Sequence, residues 1–131
     1  MSRVLPRPTA VSQCYWEGCN EGELRLQRCA DCGEFQFYPR TMCSHCGSSS
    51  LDWAQASGRG TIASFSVVRR GLSDAYPAPY VVALVDLEEG PRMMSHIVGV
   101  EPEAVAVGQA VTVDFEQWSA EVSLPVFRLI D

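Results

Sequence analysis

Two cysteine pairs ten residues apart, one short helical repeat ahead of them and five alternating apolar runs behind them predict a mainly β protein. Its parts, in order, are an N-terminal helical segment over residues 1–22 with one short helix, a zinc ribbon over 23–57 and a five-stranded barrel over 58–131. With 131 residues, 47% of them hydrophobic and 20% charged, the chain can build one ordinary core, with little left for a second.

The helix comes first. In VSQCYWEGCN, Val11, Tyr15 and Cys19 recur at helical spacing, Trp16 lies on the adjacent flank, and Gly22 is placed to stop the helix. Tyr15 and Trp16 side by side on so short a segment need cover, either from this chain or from another protein. Cys14 and Cys19 stand outside the paired cysteines and read as small, buried or half-buried residues of the helix.

The ribbon follows from Cys29-Ala30-Asp31-Cys32 and Cys43-Ser44-His45-Cys46. Two such hooks can close around one ion, and each is followed by a glycine, Gly33 or Gly47, where the chain must curl back at positive φ. Four thiolates suit Zn²⁺ best, and spacing alone leaves iron open. Such a site has no free coordination position for water or substrate, so the metal is expected to be structural. Tight paired hooks favour metal over three disulfides, and the start MSRVLPRPTA shows no apolar signal region, so a cytoplasmic location is expected. Alternation at Leu24 to Gln27, at Phe35 and Phe37, and at Leu51 and Trp53 marks the ribbon's strands.

Ser57-Gly58-Arg59-Gly60 marks the boundary to the second part. Beyond it the strand candidates are Thr61 to Val68, Tyr80 to Leu87, Met93 to Val98, Ala110 to Gln117 and Val122 to Leu129. Glycine- and proline-bearing turns separate them, with a long first connection and a wider one from Glu101 to Gly108. That pattern fits a closed Greek-key barrel such as the OB-fold better than a sandwich.

Several chemistries are disfavoured. The net charge is −6 and neither half is basic, which weighs against DNA or RNA, although a ribbon joined to an OB-fold otherwise suggests a single-strand binder. The chain has no lysine, which removes Schiff-base and phosphate-loop roles for that residue. No nucleophile elbow, zinc-protease motif or glycine-rich phosphate cradle occurs, and no apolar run is long enough to span a membrane. His45, at the tip of a hook already complete in cysteine, reads as a surface residue. His96 reads as a satisfied or solvent-facing strand residue, and Asp86, Glu88 and Glu89 as a solvated turn. The loop Ala75-Tyr76-Pro77-Ala78-Pro79-Tyr80 carries two tyrosines on a stiff segment, suited to a partner surface.

Tyr15-Trp16-Glu17-Gly18, Leu26-Gln27-Arg28-Cys29-x-x-Cys32-Gly33, Phe37-Tyr38-Pro39-Arg40, Cys43-x-x-Cys46-Gly47, Ser57-Gly58-Arg59-Gly60-Thr61, Pro77-Ala78-Pro79-Tyr80-Val81 and Asp86-Leu87-x-Glu89-Gly90-Pro91-Arg92 occur in this order. Together they resemble the acyl-CoA-associated proteins that combine a rubredoxin-like zinc ribbon with an OB-fold. The resemblance implies a non-catalytic accessory subunit in a hetero-oligomer with a thiolase-superfamily enzyme: a thiolase, an acyltransferase or a sterol-carrier-protein-type aldolase. Some members serve hotdog-fold enoyl-CoA hydratases instead. It further implies zinc on Cys29, Cys32, Cys43 and Cys46, acyl-CoA met only through the complex, and catalytic groups on the partner. Tyr15, Trp16, Tyr76, Pro77, Pro79 and Tyr80 are the expected partner or channel residues, partly on their chemistry as interface anchors. A free-standing enzyme is the remaining rival.

Overall fold

The computed structural model describes residues 5–71 and 77–130. One helix, α1 (Gln13–Asn20), precedes strands β1 (Arg25–Cys29), β2 (Phe35–Gln36) and β3 (Leu51–Gln55). Five further strands follow: β4 (Arg59–Val68), β5 (Tyr80–Leu87), β6 (Arg92–Ile97), β7 (Ala110–Gln117) and β8 (Ser123–Leu129). The first three make an antiparallel sheet in the order β2-β1-β3, and the other five close into a barrel in the order β4-β5-β6-β8-β7. Counted within the barrel that order is 1-2-3-5-4, with β6 and β8 parallel, the Greek-key closure of the OB-fold.

α1 begins two residues later than the repeat from Val11 suggests. A turn over Thr9 to Ser12 uses Val11 instead: the Ser12 N–H donates to the Thr9 carbonyl at 3.1 Å, and the Thr9 N–H donates to Ser12 Oγ at 2.9 Å. The end is where Gly22 was expected to put it. Glu23 N–H donates to the Gly18 carbonyl at 2.7 Å and Gly22 N–H to that of Cys19 at 3.2 Å, with Gly22 at φ +76°. This is the glycine-terminated cap that satisfies the last helical carbonyls.

β4 is long enough to serve two neighbours. Its start pairs with β7 and its whole length with β5, and the register shifts between Ile62 and Ser64, where a bulge bends the strand around the barrel. Gly60 faces Leu87 on one side and Val111 on the other. A Cβ there would lie 2.6 Å from the Asp86 carbonyl oxygen, so the closure needs glycine. The wide connection before β7 contains a single 3-10 turn, Pro102–Ala104.

Ribbon and barrel share one core. Leu24 and Leu26 from the ribbon and Tyr15 and Cys19 from α1 join Ile62, Val85, Met93, Val111 and Phe127 in a single buried cluster. Backbone bonds pin the chain on each side of the junction: within the ribbon Ala56 N–H donates to the Leu24 carbonyl at 2.7 Å, and within the barrel Val113 N–H donates to that of Gly58 at 2.7 Å. Asn20 Nδ2 ties the helix to the β7–β8 turn through the Glu121 carbonyl at 2.7 Å. The helix is thereby wedged between β1 of the ribbon and β7 and β8 of the barrel.

Candidate functional site

The four cysteines expected to bind metal converge. Their sulfurs lie within 4.8 Å of one another, with Cys29 to Cys46 at 3.6 Å and Cys32 to Cys43 at 3.7 Å. A tetrahedral ion with Zn–S bonds of about 2.3 Å separates its sulfurs by about 3.8 Å, so the cage already has the right size. Gly33 at φ +78° and Gly47 at φ +80° turn the chain behind each hook. The curled backbone aims Cys32 N–H at Cys29 Sγ (3.5 Å) and His45 N–H at Cys43 Sγ (3.3 Å).

These N–H groups stabilise negative sulfur. The Cys29 thiol is drawn down to about 7, first by the backbone N–H of Cys32. Cys32 goes the other way, to about 12: the Glu34 N–H lowers it, but desolvation and the sulfurs of Cys43, Cys29 and Cys46 raise it. Crowded thiolates repel, and a divalent cation among them removes that repulsion, so the donor set fits a zinc ion. His45 is exposed beside the cage, its Nε2 3.3 Å from the Phe35 carbonyl oxygen, outside the four-sulfur set.

A groove of about 560 Å³ runs where helix, ribbon and barrel meet. Tyr15 and Trp16 of α1 form one wall, and Phe37, Tyr38 and Pro39 of the ribbon form the second. The barrel supplies the floor, with Tyr80 and Val82 on β5, Met94 and His96 on β6, and Pro125 on β8. Trp118 and Glu116 close one end, and Trp118 Nε1 donates to Glu116 Oε1 at 3.2 Å. The rings interlock: Tyr15 meets Trp16 at 4.9 Å and Phe37 at 5.6 Å, Phe37 meets Tyr38 at 4.8 Å, and Tyr80 meets His96 at 5.2 Å. Tyr38 is 53% and Met94 59% exposed, so the groove presents apolar surface to solvent.

The structure sorts the expected partner residues. Trp16 and Tyr80 line the groove, half-buried. Tyr15 also borders it, but is 6% exposed and belongs to the core. Burial pushes its phenol well above the ordinary value, and burial pushes the neighbouring Cys19 thiol up to about 11. Pro77 and Pro79 are exposed outside the groove lining, and Tyr76 lies outside the described residues. Reading the sequence missed Trp118, Met94 and Pro125 as groove residues, because they come from just after the end of β7, from β6 and from β8, which only barrel closure brings together. Of the three carboxylates expected on a solvated turn, Asp86 instead lies on β5 and pairs with Arg92 at 2.6 Å, Glu88 is exposed and pairs with Arg59 at 3.2 Å, and Glu89, half-buried, accepts the Ser57 N–H at 2.9 Å. Among the described residues no helix is long and apolar enough to cross a membrane.

Comparison with known proteins agrees with this architecture. Residues 16–52 match the model of the ChsH2 rubredoxin-like zinc ribbon domain, and residues 53–116 that of the ChsH2 C-terminal OB-fold domain. A probable enoyl-CoA hydratase alpha subunit of Thermomonospora curvata is 38% identical over 95% of this chain, which spans only 40% of that subunit's length. A DUF35 domain-containing scaffold protein of Pyrococcus furiosus is 35% identical over 82% of this chain and 79% of its own. The solved structure of an Ltp2-ChsH2(DUF35) aldolase superposes with a TM-score of 0.87 at 35% identity, covering 95% of this chain and 98% of that one. A metal-ready ribbon fused to an OB barrel, matched over 82% to 95% of its length by these relatives, places the chain in the DUF35 family of ChsH2-type zinc ribbon and OB-fold proteins.

Proposed function

We propose that this chain is a non-catalytic accessory subunit that docks onto a thiolase-like enzyme and supports carbon–carbon bond chemistry on acyl-CoA thioesters, namely acyl transfer, condensation or retro-aldol cleavage. The observation that carries this reading is the groove: an open, aromatic-lined surface spanning all three structural parts, in a chain whose ribbon also gathers four cysteine sulfurs within 4.8 Å of one another. Large aromatic side chains held on a rigid frame are what interfaces use as anchors. The similarity to a DUF35 chain in an aldolase and to a scaffold protein supports the same role. Trp16 and Tyr80 would contact the partner or its acyl channel; Pro77 and Pro79, and Tyr76 outside the described residues, are the further candidates. Cys29, Cys32, Cys43 and Cys46 would hold zinc as a structural ion, contributing on the order of 10 kcal/mol to folding by comparison with zinc-finger peptides. A reducing cytoplasm would keep those thiols available.

The resemblance to a hydratase alpha subunit favours a second reading, in which the partner is a hotdog-fold enoyl-CoA hydratase. Co-expression with a candidate catalytic subunit of each kind, followed by size-exclusion chromatography and assay with acyl-CoA substrates, separates the two. A stable complex is expected with one of them and turnover only in the complex. Turnover of an acyl-CoA by the purified chain alone would overturn the accessory role.

A further inference from the structure

Gln27 and Gln36 are buried polar side chains, each 5% exposed, and they face each other across the β1–β2 ladder. Gln36 Nε2 donates to Gln27 Oε1 at 2.7 Å. The same oxygen accepts the Arg40 N–H at 2.9 Å, while Gln27 Nε2 donates to the Arg40 carbonyl at 2.9 Å. Gln36 Oε1 accepts the Ser44 N–H at 2.8 Å. One end of this network therefore grips Arg40, directly after the groove residues Tyr38 and Pro39, and the other grips Ser44, inside the second metal hook. A buried amide with all its bonds made fixes geometry tightly, because breaking any bond strands a polar group.

We propose that the Gln27–Gln36 pair couples the metal hook to the groove, so that metal occupancy sets the position of the Tyr38–Pro39 wall. Residues 37–42 form a strap anchored at one end by β2 and at the other by Cys43. Its middle has no ladder partner, and the two glutamines hold it in place of one. With the hook closed, Ser44 orients Gln36, Gln36 orients Gln27, and Gln27 fixes the Arg40 backbone. Phe37 then reaches Tyr15 and Tyr38 stands over the groove. The two glutamines are thus positioning residues for a surface that neither of them touches.

The inference rests on the groove being a binding surface, and its test separates the two claims. The chain loaded with Co²⁺ in place of zinc is titrated with the apolar dye 1-anilinonaphthalene-8-sulfonate, and the groove-bound fraction is defined by its loss in Met94→Glu. Gln36→Leu and Gln27→Leu are expected to keep the tetrahedral four-thiolate cobalt spectrum yet bind the dye roughly tenfold more weakly, an ordinary size for coupling between sites. By reciprocity, dye should raise the equilibrium metal affinity measured against a competing chelator in the unaltered chain and not in the variants. Unchanged dye affinity in both variants would overturn the coupling alone. Loss of the cobalt spectrum in both would also overturn it, since the pair would then serve the hook rather than the groove. A dye signal indifferent to Met94→Glu would sink the groove as a binding surface.

Discussion

Tyr15 and Phe37 meet edge to face, 5.6 Å between ring centres at 85°, and this contact joins the helix to the ribbon. Tyr15 is buried while its neighbour Trp16 is half-exposed, so adjacent aromatics divide between core and surface. Tyr15→Ala should therefore destabilise the fold by about 3 kcal/mol, the usual loss for a buried aromatic. Trp16→Ala should cost the fold less but weaken partner affinity by about 2 kcal/mol, the threshold of an interface hot spot. Urea unfolding and copurification measure the two effects, and equal unfolding losses with unchanged partner affinity would contradict the division.

Gly60 lies where the barrel closes. A methyl group there would meet the Asp86 carbonyl at 2.6 Å and Val85 Cγ1 at 2.7 Å, and neither backbone nor packed valine can retreat cheaply. Gly60→Ala should cost about 2 kcal/mol by overpacking. Gly22→Ala meets nothing within 4 Å but must hold φ at +76°, so it should cost less, about 1 kcal/mol. Thermal unfolding of both variants checks the order.

Protons compete with the metal for the same sulfurs. Binding needs thiolates, so it releases protons, and affinity falls as pH falls. With Cys29 titrating near 7 and Cys32 near 12 when no cation is present, the loss should already be steep below neutrality. Chelator competition at a series of pH values should show metal affinity dropping continuously from pH 8 toward roughly pH 5. Cys32→Ser should lower affinity throughout, and far-UV circular dichroism should show the ribbon strands lost with the metal.

Burial gives Cys19 the opposite kind of pH dependence. Its thiol titrates at 9.0 ordinarily and at about 11 in the fold, so between these values the unfolded chain loses the proton while the folded one keeps it. Stability contributed by the neutral thiol is complete below pH 9.0 and is lost as pH rises toward about 11. Denaturant midpoints should fall across that window by less in Cys19→Ala than in the unaltered chain. Some decline should persist in the variant, because the buried Tyr15 phenol acts in the same direction.

The chain's local patterns determined its elements. Period-two alternation with turn residues at fixed places marks β5 at Tyr80 to Leu87 and β7 at Ala110 to Gln117 without reference to the rest of the chain, and the paired cysteines with their glycines define the cage. The helix start was misread by two residues because a Thr9–Ser12 side-chain turn competes with helix, and hydrophobic spacing is blind to such competition. Only the closed structure decided the groove. Tyr38, Met94 and Pro125 are far apart in sequence, and they come together only after β8 inserts between β6 and β7. Likewise, nothing local explains polar Gln27 and Gln36 at buried strand positions, since what justifies each is the other and the strap it holds. Periodicity belongs to one segment, whereas a surface shared by three segments is set by how they pack.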